Sequence, residues 1–170
     1  MSRRAALGGA LAAALAGPAA AQDGAVPRDG VWESRGVAAR TMGCGPELGP
    51  ALEALGRAMG APRREARAWD GAFDPRTMGL SVGEGTEVAW TREEVGGWTG
   101  ALSGTTPEGE ALPYGRVEVE LITPDTIETR TVLDAAALRR IGGRPVAPGT
   151  EACTLLLRGV VARVDDADAD

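Results

Sequence analysis

The stretch Arg116-Val117-Glu118-Val119-Glu120-Leu121 decides the fold class of this 170-residue chain. Its three apolar residues alternate with two glutamates, and successive side chains of a β-strand point to opposite faces of the sheet. One face of this strand therefore packs on a core while the other faces water, which is typical of antiparallel sheets.

The same alternation recurs along the second half of the chain, where Gly, Pro and acidic residues separate the apolar segments. An earlier segment anchored by Trp32 and a final apolar segment complete the set. The predicted strands cover residues 31–41, 77–82, 86–92, 97–103, 115–123, 126–133 and 153–164. Seven strands with mostly short connections predict antiparallel pairing between neighbours, which is a β meander.

One amphipathic helix is predicted after the first strand. Its apolar residues recur at the spacing of a single helical stripe, formed by Leu48, Leu52, Leu55 and Met59. Pro50 suits the first turn of this helix, and Gly60 suits its end. A short helix capped by Asp134 is predicted to run to Arg140. The arginine-rich stretch 63–67 could be helical. Its three arginines could bind an anion, but the acidic residues close by favour an ion-paired face in water.

These elements predict an α+β fold: an antiparallel meander of about seven strands with one amphipathic helix inserted after the first strand. The helix is expected to cover one face of the sheet or to plug one end. A small lipocalin-like barrel is the alternative, and the architecture resembles lipocalin-like folds and periplasmic inhibitor proteins. We expect a flexible leader at 22–29, one globular domain at 30–164 and a solvated acidic tail at 165–170.

The N-terminus predicts export. Arg3 and Arg4 precede an uncharged run rich in Ala and Leu, and Ala19-Ala20-Ala21 offers small residues at a cleavage point. Residues 1–21 are therefore predicted to be a signal peptide that is removed before Gln22, giving a periplasmic or secreted protein. The remaining chain holds 16 basic and 24 acidic residues, a net charge of −8. This charge disfavours nucleic acid, and no stable membrane insertion is expected after processing.

Two cysteines, Cys44 and Cys153, are expected to form a disulfide, because an exported chain meets an oxidising compartment. Two buried free thiols and a redox pair are the alternatives. A redox pair usually shows the Cys-x-x-Cys spacing, which this chain lacks.

The composition disfavours catalysis. The chain contains no His, and all 18 of its basic residues are Arg, so the common general bases and metal ligands are missing. Ser81 lies in a Gly-x-Ser-x-Gly pattern, but no base is present to activate it. We therefore predict no cofactor, no metal and no catalytic residue, with catalysis by a carboxylate pair left open.

Trp90 and Trp98 are the candidate ligand-binding residues, because they lie on adjacent predicted strands in a chain with six aromatic residues. They could line an apolar cavity, form a partner's binding surface or belong to the core. We expect at least one of the two to be core, and Trp90 is the favoured one, since it shares a strand face with Val88. The leading expectation is a non-catalytic protein that binds a small apolar ligand. The alternative is an interaction module, such as an inhibitor or envelope-assembly factor, that acts through its surface.

Overall fold

A computed structural model of the protein describes residues 25–78, 86–93, 97–146 and 150–164. The predicted signal peptide 1–21, the first part of the predicted leader and the acidic tail 165–170 lie outside the described residues. Ser81 with its flanking glycines lies outside them as well.

The described residues form a seven-stranded antiparallel sheet and two α-helices. The strands are β1 (Gly30–Met42), β2 (Arg63–Arg67), β3 (Glu87–Arg92), β4 (Gly97–Thr105), β5 (Ala111–Thr123), β6 (Thr126–Asp134) and β7 (Thr154–Val164). The helices are α1 (Leu48–Met59) and α2 (Ala135–Ile141), and a 3₁₀ helix covers Pro75–Met78. The predicted α+β fold with a helix after the first strand is confirmed.

The sheet is a curled half-barrel with the strand order β2-β1-β7-β6-β5-β4-β3. Strands β3 to β7 form the predicted meander, while β1 pairs with β7 and carries β2 on its other side. Because β2 and β3 form the two edges, the described strands do not close into the barrel that was the alternative.

The core lies on the concave face of this sheet. Val117, Val119 and Leu121 are buried together there, as their alternation predicts, and the neighbouring glutamates lie on the opposite face. Trp32 from β1 and Ile127 from β6 are almost fully buried against the same cluster. Burial of these side chains is the main stabilising contribution of the sheet.

The expectation of a helix at 63–67 is wrong, because these residues form β2. They pair antiparallel with β1, and the side chain of Arg64 donates from Nε to Glu33 Oε2 at 2.9 Å. Five residues are too few to form a stable helix alone, whereas an open strand edge offers backbone hydrogen bonds at once. The ion-paired character of the stretch is confirmed by this bond and by the Arg67–Glu65 pair.

The predicted strand at 77–82 is also wrong where it is described, because Thr77 and Met78 belong to the 3₁₀ helix. Asp74 begins this turn: its carboxylate accepts the backbone N–H of Arg76, and its carbonyl accepts the backbone N–H of Thr77. An aspartate that bonds the backbone two residues ahead favours a turn over a strand. The rest of the predicted strand lies outside the described residues.

Helix α1 packs on β1 through glycine rather than through its leucine stripe. Gly49 and Gly56 are the buried residues of the helix, while Leu55 and Met59 are exposed. A Cβ at Gly56 would lie 2.7 Å from Leu157 Cδ2, so only glycine permits this approach. Leu52 alone of the stripe packs against the core cluster.

Helix α2 follows β6 directly. The carboxylate of Asp134 accepts the backbone N–H groups of Ala136 and Ala137, which confirms the predicted cap. Among the described residues, neither this helix nor α1 is long and apolar enough to cross a membrane.

The disulfide between Cys44 and Cys153 is confirmed. It joins the turn before α1 to the start of β7 and closes a loop with a sequence separation of 109 residues. The end of β1 and the start of β7 are neighbours in the sheet. The disulfide therefore links the turn between β1 and α1 to the residue that precedes β7, at the end of the sheet where both helices begin.

The described part of the predicted leader contacts the domain. Arg28 Nη1 lies 2.7 Å from Asp125 Oδ2, and Ala25 accepts a hydrogen bond from the backbone of Phe73. Asp29 accepts a hydrogen bond from the backbone of Trp69. These contacts hold residues 25–29 on the end of the half-barrel opposite the helices.

Candidate functional site

The concave side of the half-barrel is not completely filled. A cavity of about 400 Å³ lies between the two sheet edges, and both β2 and β3 contribute to its walls. Its apolar lining comes from six residues: Trp32, Met78, Val88, Trp90, Val117 and Val161. A space of this size lies within the range of about 300–1,000 Å³ that is typical of small-molecule sites.

A second cavity of about 230 Å³ adjoins the first and extends under α1, where Gly56 and Met59 contribute to its lining. Ser34, Arg63, Thr129, Thr131 and Val161 line both cavities. We refer to the two adjoining spaces together as the groove.

Small side chains at the centre of the sheet leave this space open. Gly159 of β7 pairs with Thr129 of β6 on one side and with Gly36 of β1 on the other. A Cβ at Gly159 would lie 2.7 Å from the Thr129 hydroxyl. Gly159 lines the smaller cavity, and a large side chain at this position would fill that part of the half-barrel.

Trp90 lies on the edge strand β3 and lines the groove. It pairs with Gly100 of β4, where a Cβ would lie 3.0 Å from Trp90 Cε3 and 2.6 Å from Val88 Cγ1. Because Gly100 has no side chain, the side chains of Trp90 and Val88 can pack closely against the sheet at this position. Trp90 is half-buried and packs against the core cluster, so it is at once a packed residue and a wall of the groove.

Trp98 has a different environment, although it shares the face of Trp90. It pairs with Arg92, is half-buried and packs against the core cluster, but it lines a separate cavity of about 450 Å³ and not the groove. The Arg76 guanidinium lies 5.5 Å from its ring centroid, a cation–π distance. A hydrogen bond from Arg76 lowers the pKa of the Asp74 carboxyl, and the same bond raises the pKa of Arg76. The structure therefore does not bring the two predicted ligand-binding tryptophans to one cavity.

The β2 wall of the groove carries charge. In the pairing of β1 with β2, Glu65 lies opposite Trp32 and Arg63 opposite Ser34. Arg67 is on the same strand face, and its side chain is only 14% exposed. Its Nη2 donates to Glu65 Oε2 at 2.7 Å and to the Met78 carbonyl at 2.9 Å.

Arg67 also holds an unsatisfied donor. Its Nε is buried, and within the described residues no acceptor lies at hydrogen-bond distance. Buried polar groups are normally hydrogen-bonded. From the sequence, the three arginines of this stretch are possible anion ligands, but a solvated, ion-paired face is the favoured interpretation because acidic residues lie close by. The signal was the spacing of Arg63, Glu65 and Arg67, which places all three on one face of a strand.

The described residues contain no group of three or more His, Cys, Asp and Glu that could hold a metal ion. Glu65 is the one carboxylate among the described residues that line the larger cavity. Glycosidase-type chemistry uses two carboxylates on either side of a bond. The groove thus combines apolar walls, hydroxyl groups and guanidinium groups, which is a set suited to binding.

No protein-family model, curated protein or solved structure matches the chain. The groove and its residues are therefore the basis for the functional proposal.

Proposed function

We propose that the protein is an exported, non-catalytic binding protein that holds a small apolar molecule in the groove. The observation that carries this proposal is the 400 Å³ cavity, whose apolar walls come from the edge strand β3, the 3₁₀ helix and the inner strands β1, β5 and β7. Trp90 is the central residue of the proposal, because its ring is both an apolar wall and a stacking surface.

The energetics of an apolar occupant favour this site. Burial of about 100 Å² of apolar ligand surface is worth about 2.5 kcal/mol before the cost of immobilising the ligand. An aromatic ligand that packs edge-to-face or offset on Trp90 would gain a further 0.5–1.5 kcal/mol or so. The wall itself needs no rearrangement, since Trp90 and Val88 already lie against Gly100.

Export is the second part of the proposal. It is supported by the predicted signal peptide at 1–21 and by a disulfide, a bond that persists in oxidising compartments. N-terminal sequencing of the protein from its host should find a chain that begins at Gln22, within two residues. A chain that retains Met1 in a membrane fraction would refute this part.

Binding can be tested with phenylnaphthylamine, an uncharged apolar fluorophore. We expect saturable binding, with enhanced probe emission and reduced Trp emission through energy transfer. Trp90→Ala should weaken binding by about tenfold, which corresponds to about 1.4 kcal/mol. Trp98→Ala is the matched control: it removes the same side chain outside the groove, and it should change affinity by less than about twofold.

Two outcomes would contradict the proposal. One is the absence of saturable binding to a parent protein whose circular dichroism shows it to be folded. The other is an equal loss of affinity in the two tryptophan variants, which would indicate that binding follows global stability. Urea unfolding of both variants separates loss of fold from loss of the wall.

A protein-interaction module remains the second candidate, and exposed apolar side chains favour it. Val37 and Met42 of β1 are each 60% exposed, and Leu55 of α1 is 54% exposed. Exposed apolar side chains can form partner surfaces where they are contiguous. If this candidate is right, Leu55→Asp should abolish a complex seen by native mass spectrometry of protein purified from its host, while phenylnaphthylamine binding stays unchanged.

A further inference from the structure

The two walls of the groove differ in chemical character: one is apolar and the other is charged. Apolar residues line the side formed by β3 and β5, represented by Trp90 and Val117. The opposite wall is β2, which contributes three arginines and one glutamate to the lining. Between the two walls lie hydroxyl groups, those of Ser34, Thr129 and Thr131.

The charges on the β2 wall do not cancel. Arg64 is paired with Glu33 at 2.9 Å, so this arginine is neutralised from β1. Glu65 is paired with Arg67 at 2.7 Å. Arg63 lines both cavities, and the described residues place no carboxylate within 4.0 Å of it. One positive charge therefore remains on this wall, together with the buried, unsatisfied Nε of Arg67.

An unsatisfied N–H on a buried guanidinium is costly, because a buried donor without a partner loses its hydration. An anionic oxygen that displaces the atoms covering this Nε would complete its hydrogen bonding with a charge-assisted bond, which is stronger than a bond between neutral groups. The Nη2 of Arg67 already donates to Glu65 and to the Met78 carbonyl. Nε can therefore donate a single hydrogen bond, but it cannot form a bidentate pair of bonds together with Nη2. One uncompensated positive charge on this wall suits a singly charged head group.

We infer that the ligand of the groove is an amphipathic monoanion, a carboxylate with an apolar body. Its head lies against Arg67 and Arg63, and its apolar part lies against Trp90 and Val88. This inference rests on the proposed function, because it names the chemical class of the molecule that the groove holds.

Arg67 also has a structural contact, since it links β2 to the 3₁₀ helix through the Met78 carbonyl. A test must therefore separate loss of the head-group contact from loss of the fold. Two probes that share one aromatic body make this separation: anilinonaphthalenesulfonate carries an anionic sulfonate group, and phenylnaphthylamine carries no charge. The neutral probe reports on the integrity of the groove in each variant.

The experiment compares the affinities of both probes for the parent and for three variants. The parent should bind the anionic probe about tenfold more tightly than the neutral one. Arg67→Gln should remove most of this preference and leave the affinity for the neutral probe within about twofold. Arg116→Gln is the matched control, because it makes the same charge change at a residue paired with Glu118 outside the groove. It should leave both affinities unchanged.

Glu65→Gln tests the inference without removing an arginine, and Glu65 is exposed enough to be replaced safely. Loss of this carboxylate frees the Nη2 donor of Arg67 and raises the wall charge, so affinity for the anionic probe should rise about threefold. Dodecanoate should displace the probe at a concentration about tenfold lower than dodecanol does.

The outcomes are distinguishable. If the neutral probe binds and Trp90→Ala weakens it, but neither Arg67→Gln nor Glu65→Gln changes the preference for the anionic probe, the inference is wrong and the proposed function stands. If neither probe binds the folded parent, both fail. If Arg67→Gln lowers both affinities equally while Glu65→Gln has no effect, Arg67 supports the fold and does not contact a head group.

Discussion

Gly36→Ala should destabilise the protein, because α1 crosses β1 at this residue with the two backbones in contact. A Cβ at Gly36 would lie 2.8 Å from Gly60 Cα, and a Cβ at Gly60 would lie 2.7 Å from Gly36 Cα. Carbon atoms in favourable contact are about 3.5–4.0 Å apart. The helix would therefore have to move away from the strand by roughly 1 Å.

That movement disturbs a defined set of interactions. The Gly36 N–H donates to the Gly60 carbonyl at 2.8 Å, and the net value of such a bond is about 0.5–1.5 kcal/mol. The packing of Gly56 against Ala39 and Leu157 lies on the same side of the helix and would loosen as well. Overpacking of this kind costs about 1–3 kcal/mol, so we expect a loss of about 2 kcal/mol in the free energy of unfolding.

Urea unfolding of the oxidised protein measures this loss as a lower midpoint at an unchanged slope. Gly45→Ala is the matched control, because no atom lies within 4 Å of the added Cβ and its φ is not in the left-handed region. This control should be neutral or up to about 1 kcal/mol more stable, since alanine restricts the unfolded chain. The double variant Gly36→Ala/Gly60→Ala should lose less free energy of unfolding than the sum of the two single variants, because both added methyl groups occupy the same space between the two backbones.

A Gly36→Ala variant as stable as the parent or as Gly45→Ala would contradict this contact between α1 and β1. That result would mean that the two backbones are not in contact and that α1 lies elsewhere on the half-barrel. Additive costs in the double variant would contradict the shared gap, even if each single variant were destabilised.

Three further predictions concern the disulfide, the leucine stripe and acid stability. Replacing Cys44 and Cys153 by Ser should lower the free energy of unfolding by about 4–5 kcal/mol, as measured by urea unfolding, because the bond closes a long loop. Leu55→Ala should cost less than about 1 kcal/mol by the same assay, since this residue is mostly exposed; a loss of 2–5 kcal/mol would show that the stripe is core. The bond from Arg76 lowers the pKa of Asp74, so its stabilising contribution is complete above the ordinary value of 3.8 and is lost as pH falls through the lowered value. Asp74→Asn should therefore reduce the stability loss below pH 3.8 in a thermal unfolding series, and an unchanged acid slope would count against the pair.

The features that depend on local pattern can be predicted from the amino-acid sequence. The alternation of Val117, Val119 and Leu121 with glutamates decided which face of β5 is buried, because a strand has no other way to separate the two kinds of side chain. The limits of α1 follow from Pro50 and Gly60, and the start of α2 follows from the capping carboxylate of Asp134. The disulfide followed from the cysteine count and the expected compartment.

Only the tertiary structure decided which element covers each face. The stretch 63–67 is a strand because β1 offers it an open edge, and a short segment takes the structure of its neighbour rather than that of its own propensity. The leucine stripe of α1 predicts a buried face, yet the helix buries its glycines, because close approach to β1 allows backbone contact that larger residues would prevent.

The candidate site depends on the same non-local information. Trp90 and Trp98 share one face by their spacing, but only one lines the groove, since their positions along the half-barrel differ. The groove lies over Gly159, which pairs with Thr129 and with Gly36, and these three small residues are more than twenty positions apart in the chain. The alternation of residues along a strand predicts which face of the sheet each side chain occupies. The space above that face depends on which strands pair with one another, and no local pattern encodes this pairing.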